Sequence, residues 1–158
     1  MYLNRRSSLK LLLGSILITV ASCGNQHNSS IIYVNEKSIK KAQFIELSRI
    51  LSNPENYESL IVDVIGEYNN GFEESGLYLS KIAFSNSEKN KALWISFNNE
   101  YYPLLSKSKV NLLDSYSEFE KISGKKVRVK GKFTLQSKGH LSKYVGTIEN
   151  VFYVEVLN

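Results

Sequence analysis

The chain has 158 residues, with 20 Lys and Arg against 15 Asp and Glu and a single cysteine. That length suits one domain. One thiol excludes a disulfide framework, and two histidines offer too few clustered ligands for a zinc centre.

The N-terminus has three zones. Arg5, Arg6 and Lys10 make a positive start, Leu11 to Ala21 carry no charge, and the small residues Ala21 and Ser22 precede Cys23. This is the layout of an export signal. Eleven uncharged residues are too few to span a bilayer, which takes roughly 20, so cleavage is expected rather than a permanent anchor helix. Val20-Ala21-Ser22-Cys23 resembles the bacterial lipobox, which implies that Cys23 is lipidated and becomes the first residue. Acyl chains buried at about 0.8 kcal/mol per methylene, more than one per molecule, give stable anchoring. The resemblance implies outer-membrane sorting in a two-membrane cell, because Gly24 rather than Asp follows the cysteine. Asn4 to Lys10 also looks like a twin-arginine motif, though its usual Phe is absent. Residues 1–22 are thus expected to be removed. They hold three of the basic residues and no acid, so the chain from Cys23 carries 17 basic against 15 acidic residues.

Residues 23–37 read as the lipidated cysteine and a flexible tether, with "NQHNSS" at its start and His27 as a solvated linker residue. The domain is placed at 38–158. Ser38 to Ser52 reads as a helix, with Phe44, Leu47 and Leu51 at helical spacing, Ser38 as N-cap and Pro54 as the stop. Leu60 to Gly66 is a nearly continuous β-branched run, the mark of a strand covered on both faces. "NNG" at 69–71 signals a turn. Strands follow at Leu77–Leu79 and Ala92–Phe97. Residues 98–114 read as irregular, and Ser115–Ile122 as a short helix closed by Gly124. In "VRVKGKFTL", Val127, Val129, Phe133 and Leu135 alternate with Arg128, Lys130, Lys132 and Thr134, so one face is core and the other solvent. Gly131 on the inner face fits a sharp barrel bend. The last strand, Val145–Leu157, changes parity near Glu149-Asn150, which predicts a bulge. Three strands, a short helix and two more strands are the order of an OB-like five-stranded barrel, a mainly β fold. Another small α+β sheet is the competing arrangement.

"NPENY", "VDVIGEY", "GLYLS", "NKALWISF", "VRVKGKF" and "KGHLSKYVGTIENV" together look like a set of small bacterial proteins without an assigned activity. The similarity covers roughly residues 40–152, and its last block is the most specific. It implies an OB-like barrel and lends no catalytic residue. Residues 98–118 depart from that pattern.

Catalytic signals are sparse. His140 is the domain's one histidine once His27 is assigned to the tether. No Gly-x-Ser-x-Gly elbow, phosphate-cradling glycine loop or metal-ligand cluster accompanies it, so no cofactor or metal is expected. Glu73-Glu74 reads as a solvated turn. The one constellation above background is electrostatic. From Gly124 to Lys143 there are seven basic residues and His140, with no acid.

Alternation sets Arg128, Lys130 and Lys132 along one outer face, where lysines can also simply discourage edge pairing. Lys138, His140 and Lys143 fall in or beside the "SKGH" turn, the loop through which OB folds often bind. Trp94 and Tyr78 could supply stacking platforms if they point outward. His140 could equally pack against Trp94 or Tyr144. The expectation is a non-enzymatic envelope lipoprotein that binds an anionic ligand or partner through this basic face, held at the membrane by its lipid. Two alternatives are an enzyme acting on an envelope polymer with His140 as base, and an oligonucleotide binder, to which export is unfavourable.

Overall fold

The computed structural model describes residues 31–86, 88–97 and 103–158. The expected signal, Cys23, the 25–30 tether with His27 and the segment 98–102 lie outside the described residues. Eight strands and three short helices follow in chain order. They are β1 Ile32–Val34, β2 Gln43–Phe44, α1 Leu47–Ser52, β3 Ile61–Gly71, β4 Glu74–Tyr78, α2 Lys81–Ser85, β5 Ala92–Ile95, β6 Leu105–Ser106, α3 Tyr116–Glu120, β7 Lys125–Thr134 and β8 Gly146–Val156.

Five strands close on themselves. β3 pairs antiparallel with β4 and with β7, β4 pairs with β5, β7 pairs with β8, and β5 meets β8 in parallel. This is the expected OB-like barrel, with α3 between its third and fourth strands. Side-chain alternation fills the interior. Val64, Leu77, Leu93, Val129, Phe133 and Ile148 are all buried, and each such side chain contributes about 1.5–3 kcal/mol relative to exposure. At Gly131 a Cβ would lie 2.7 Å from the Glu149 carbonyl oxygen. The β7–β8 register shifts between Lys130 and Lys132, and Asn150 takes a φ of 50°. The inner-face glycine and the bulge near 149–150 are thus one device that bends both strands.

Three expectations need correction. First, Ile32–Val34, assigned to the tether, are part of the fold: β1 pairs with β8 and β6 and buries Tyr33 in the core. β8 shares one edge between β5, at residues 146–148, and β1, at residues 153–155. Second, the helix read over 38–52 occupies only its end. Ser38 closes a single 3-10 turn, and Gln43–Phe44 run parallel to Val62–Asp63 of β3 as β2. Ile45 donates its N–H to the Asp63 carbonyl at 3.0 Å and buries its side chain, while Phe44 stays exposed. Pairing with an open strand edge satisfies those backbone groups and outweighs the apolar spacing. α1 then buries Leu47 and Ile50 and ends before Pro54. Third, "NNG" is strand rather than turn: Asn69 and Asn70 pair with Gly76 and Ser75, and the reversal falls on Phe72-Glu73. Within the region called irregular, β6 adds a two-residue strand beside β1. Among the described residues, no helix is long and apolar enough to cross a membrane.

Candidate functional site: the loop latched over the barrel wall

Trp94 lies on the outer face of β5, since its neighbours Leu93 and Ile95 fill the interior. Gly76 of β4 is its cross-strand partner. The Tyr78 ring lies over Gly76, where a Cβ would come within 2.5 Å of it. Tyr144 packs edge-on to Trp94, with ring centroids 5.2 Å apart and 69° between planes. Ala83 and Ala92 complete this small apolar cluster outside the barrel. Tyr78 donates a 2.6 Å hydrogen bond to Glu74, and its hydroxyl faces that of Tyr144. Burial raises the pKa of both phenols, and at Tyr78 the bond to the Glu74 carboxylate raises it further.

The β7–β8 connection, residues 135–145, closes over this cluster. Gly139 sits on the indole: a Cβ there would be 2.7 Å from three ring atoms, and its φ of 66° belongs to glycine. Thr147 donates to the Ser137 carbonyl at 2.9 Å and ties the loop to β8. His140 Nε2 lies 2.9 Å from Glu73 of the β3–β4 hairpin, with both side chains partly exposed. Leu141 and Ser142 also have positive φ, 52° and 53°. Such backbone strain persists only where surrounding contacts enforce it. Beside the latch an open groove of about 350 Å³ is bordered by Gly71, Glu73, Trp94, Phe97 and Phe119.

The expected site residues therefore divide. Trp94, Tyr78, His140, Lys138 and Lys143 come together, but Tyr78 is wholly buried and Trp94 is partly covered by the loop, so neither stands out as a stacking platform. Their partners are each other. It is Gly139 that sits on Trp94, and His140 pairs with Glu73. A histidine–carboxylate pair is half of a general-base arrangement, but the hydroxyl or thiol that such a base would activate is not hydrogen-bonded to His140 among the described residues.

Arg128, Lys130 and Lys132 do share the outer face of β7, and acids on the flanking strands meet each of them. Arg128 holds Asp63 through Nε and Nη2 at 2.7 and 2.6 Å. This pairing raises the guanidinium pKa further. Lys130 Nζ is 3.7 Å from Asp63 and 4.5 Å from the Tyr153 ring centre, a cation–π distance. Lys132 is 3.3 Å from Glu149. Tyr153 donates to Glu155 at 2.9 Å, and burial with that carboxylate pushes its pKa up to about 12. The strand face is a ladder of paired charge. The cations of the 124–143 stretch without an acidic partner among the described residues are Lys125, Lys126, Lys138 and Lys143.

Two contributors escaped the sequence reading. Glu73, taken for a solvated turn residue, anchors His140. Phe72, at the hairpin tip, is 93% exposed; a large apolar residue between turn signals and two acids was the available clue. No group of three potential metal ligands occurs among the described residues. Comparison with protein-family models, curated proteins and solved structures finds no match for this chain.

Proposed function

We propose that this chain is a non-enzymatic, lipid-anchored envelope protein whose barrel presents the 135–145 loop to an anionic headgroup surface. The observation that carries the reading is the composition of that corner. The Glu73–His140 pair ties the hairpin bearing Phe72 to the loop bearing Lys138, Leu141 and Lys143. Phe72 and Leu141 are 93% and 67% exposed, and both lysines are exposed with no acidic partner among the described residues. Apolar tips flanked by lysines suit the boundary between headgroups and acyl chains. Each lysine near such a surface adds about 1 kcal/mol at low salt. The lipobox resemblance at Cys23 supplies the anchor and the compartment.

Co-sedimentation of the full chain carrying Cys23→Ala tests the surface contact without the lipid. Binding to vesicles rich in anionic lipid should exceed binding to zwitterionic ones, and Lys138→Glu with Lys143→Glu should remove most of the difference. Equal binding to both vesicle types would end the reading. Mass spectrometry of the N-terminal peptide tests lipidation separately, and labelled palmitate should enter the native chain but not the Cys23→Ala variant.

A further inference from the structure

A second cavity lies on the opposite kind of surface, where β1 meets β6. Alternation along β1 sends Tyr33 into the core and leaves Ile32 and Val34 on the outer side. Those two residues and Leu105 of β6 floor a cleft of about 360 Å³. The segment after β6 turns tightly: Lys109 donates to the Ser106 carbonyl at 2.9 Å and Ser106 to the Val110 carbonyl at 2.8 Å. Lys107 and Lys109 thereby reach the cleft mouth, where Lys37 joins them. Glu36 also lines the mouth, 3.7 Å from Lys109, so the rim carries three cations and one anion.

Asn35 gives the cleft a specific polar feature. It is 4% exposed and lines the cavity. Its backbone N–H donates to the Phe152 carbonyl at 2.9 Å, and its Oδ1 accepts the Lys37 N–H at 3.1 Å. These bonds fix which way the amide faces. The Nδ2 group exposes almost no surface and has no acceptor among the described residues. The lysines at the mouth suit an anionic head, and the floor suits an apolar chain. The volume is at the low end of the roughly 300–1,000 Å³ span of small-ligand sites, enough for a head oxygen and part of one chain.

We propose that the β1–β6 cleft binds a single-chain anionic amphiphile, its acidic head at the lysine rim beside Asn35 and its chain on Ile32, Val34 and Leu105. The site shares no residue with the 135–145 loop and does not depend on the function proposed for it. Titration of the ¹⁵N-labelled full chain carrying Cys23→Ala is the test, with dodecanoate, dodecyl phosphate and uncharged dodecyl maltoside below their micellar concentrations. The two anions should move the Asn35 side-chain amide signals and the Val34 and Leu105 amides. The tighter of them assigns a carboxylate or a phosphate head. Lys37→Glu with Lys107→Glu should weaken binding at least about fivefold and leave the unfolding temperature unchanged. An unmoved Asn35 amide at saturating anion overturns the proposal. So does equal binding of the maltoside, or indifference to the two charge reversals.

Discussion

Arg128 and Asp63, 65 residues apart in sequence, form a two-bonded ion pair across β7 and β3. The Asp63 side chain is 5% exposed, whereas that of Arg128 is 36% exposed. Removing the arginine leaves a buried carboxylate with Lys130, at 3.7 Å, as its one remaining cationic partner among the described residues. Breaking a fully buried pair costs about 3–5 kcal/mol; with the guanidinium partly in water, Arg128→Ala should cost about 2 kcal/mol in urea unfolding. Arg128→Lys should recover little, since a lysine cannot make both bonds.

Gly139 offers an optical test, because Trp94 is the one tryptophan in the chain. An alanine there meets both a φ of 66° with ψ of −160° and the indole at 2.7 Å. Backbone strain of that kind costs on the order of 1–3 kcal/mol. Gly139→Ala should therefore lift the loop, shift Trp94 emission to longer wavelength and increase its quenching by iodide. An unchanged spectrum with full stability would show that the glycine seat is dispensable.

Inside the barrel, Ser75 is the centre of a polar chain. It bonds the Tyr68 hydroxyl at 3.1 Å and donates to the Ile95 carbonyl at 2.8 Å. Tyr68→Phe leaves the second bond intact and should cost about 1 kcal/mol. Ser75→Ala strands both a buried phenol and a carbonyl, so it should cost about 2–3 kcal/mol. Thermal unfolding of the two variants should rank them in that order.

Acid should attack the fold at Glu118. Lys121 and the Tyr33 hydroxyl, at 2.8 Å, hold its carboxyl below the ordinary range. A carboxyl lowered on folding contributes in full above its unfolded value, and that contribution drains away as the pH falls through the folded one. Glu118→Gln should flatten this acid limb by lowering the neutral plateau toward the acid value, because the amide cannot titrate. Denaturant midpoints taken from pH 7 down to pH 3 would measure it.

The strands of the barrel were legible because their pattern is local. Val127, Val129 and Phe133 announce a core face within one strand, and Gly131 with the parity change near Asn150 announces the bend. The neutralisation of the basic face was not legible. Arg128 meets Asp63, and Lys132 meets Glu149, only after strands distant in sequence are set in register, and a one-residue slip would separate them. The helix at 38–52 misled for a related reason. Phe44, Leu47 and Leu51 satisfy helical spacing, but the open edge of β3 is a long-range offer of hydrogen bonds that spacing cannot register. At the loop, the residue types were legible and their relations were not: the "SKGH" turn and His140 stand out in the sequence, yet Glu73 as the seat of His140 and Trp94 as the seat of Gly139 arise only when the β3–β4 hairpin and β5 are brought beside the loop.

β1 has a mechanical consequence. It is three residues long, it is the first described strand, and it lies antiparallel to β8, the last strand of the chain. A pull on the backbone ahead of residue 31 thus enters the barrel through a few rungs, from Val156 N–H on the Ile31 carbonyl to Asn35 N–H on the Phe152 carbonyl, both 2.9 Å. Under tension those rungs yield before the closed five-stranded ring, and Tyr33 leaves the core with them. Detachment of β1 would also split the cleft it shares with β6, so stretching the molecule at that end would empty the cavity while the ring stayed shut.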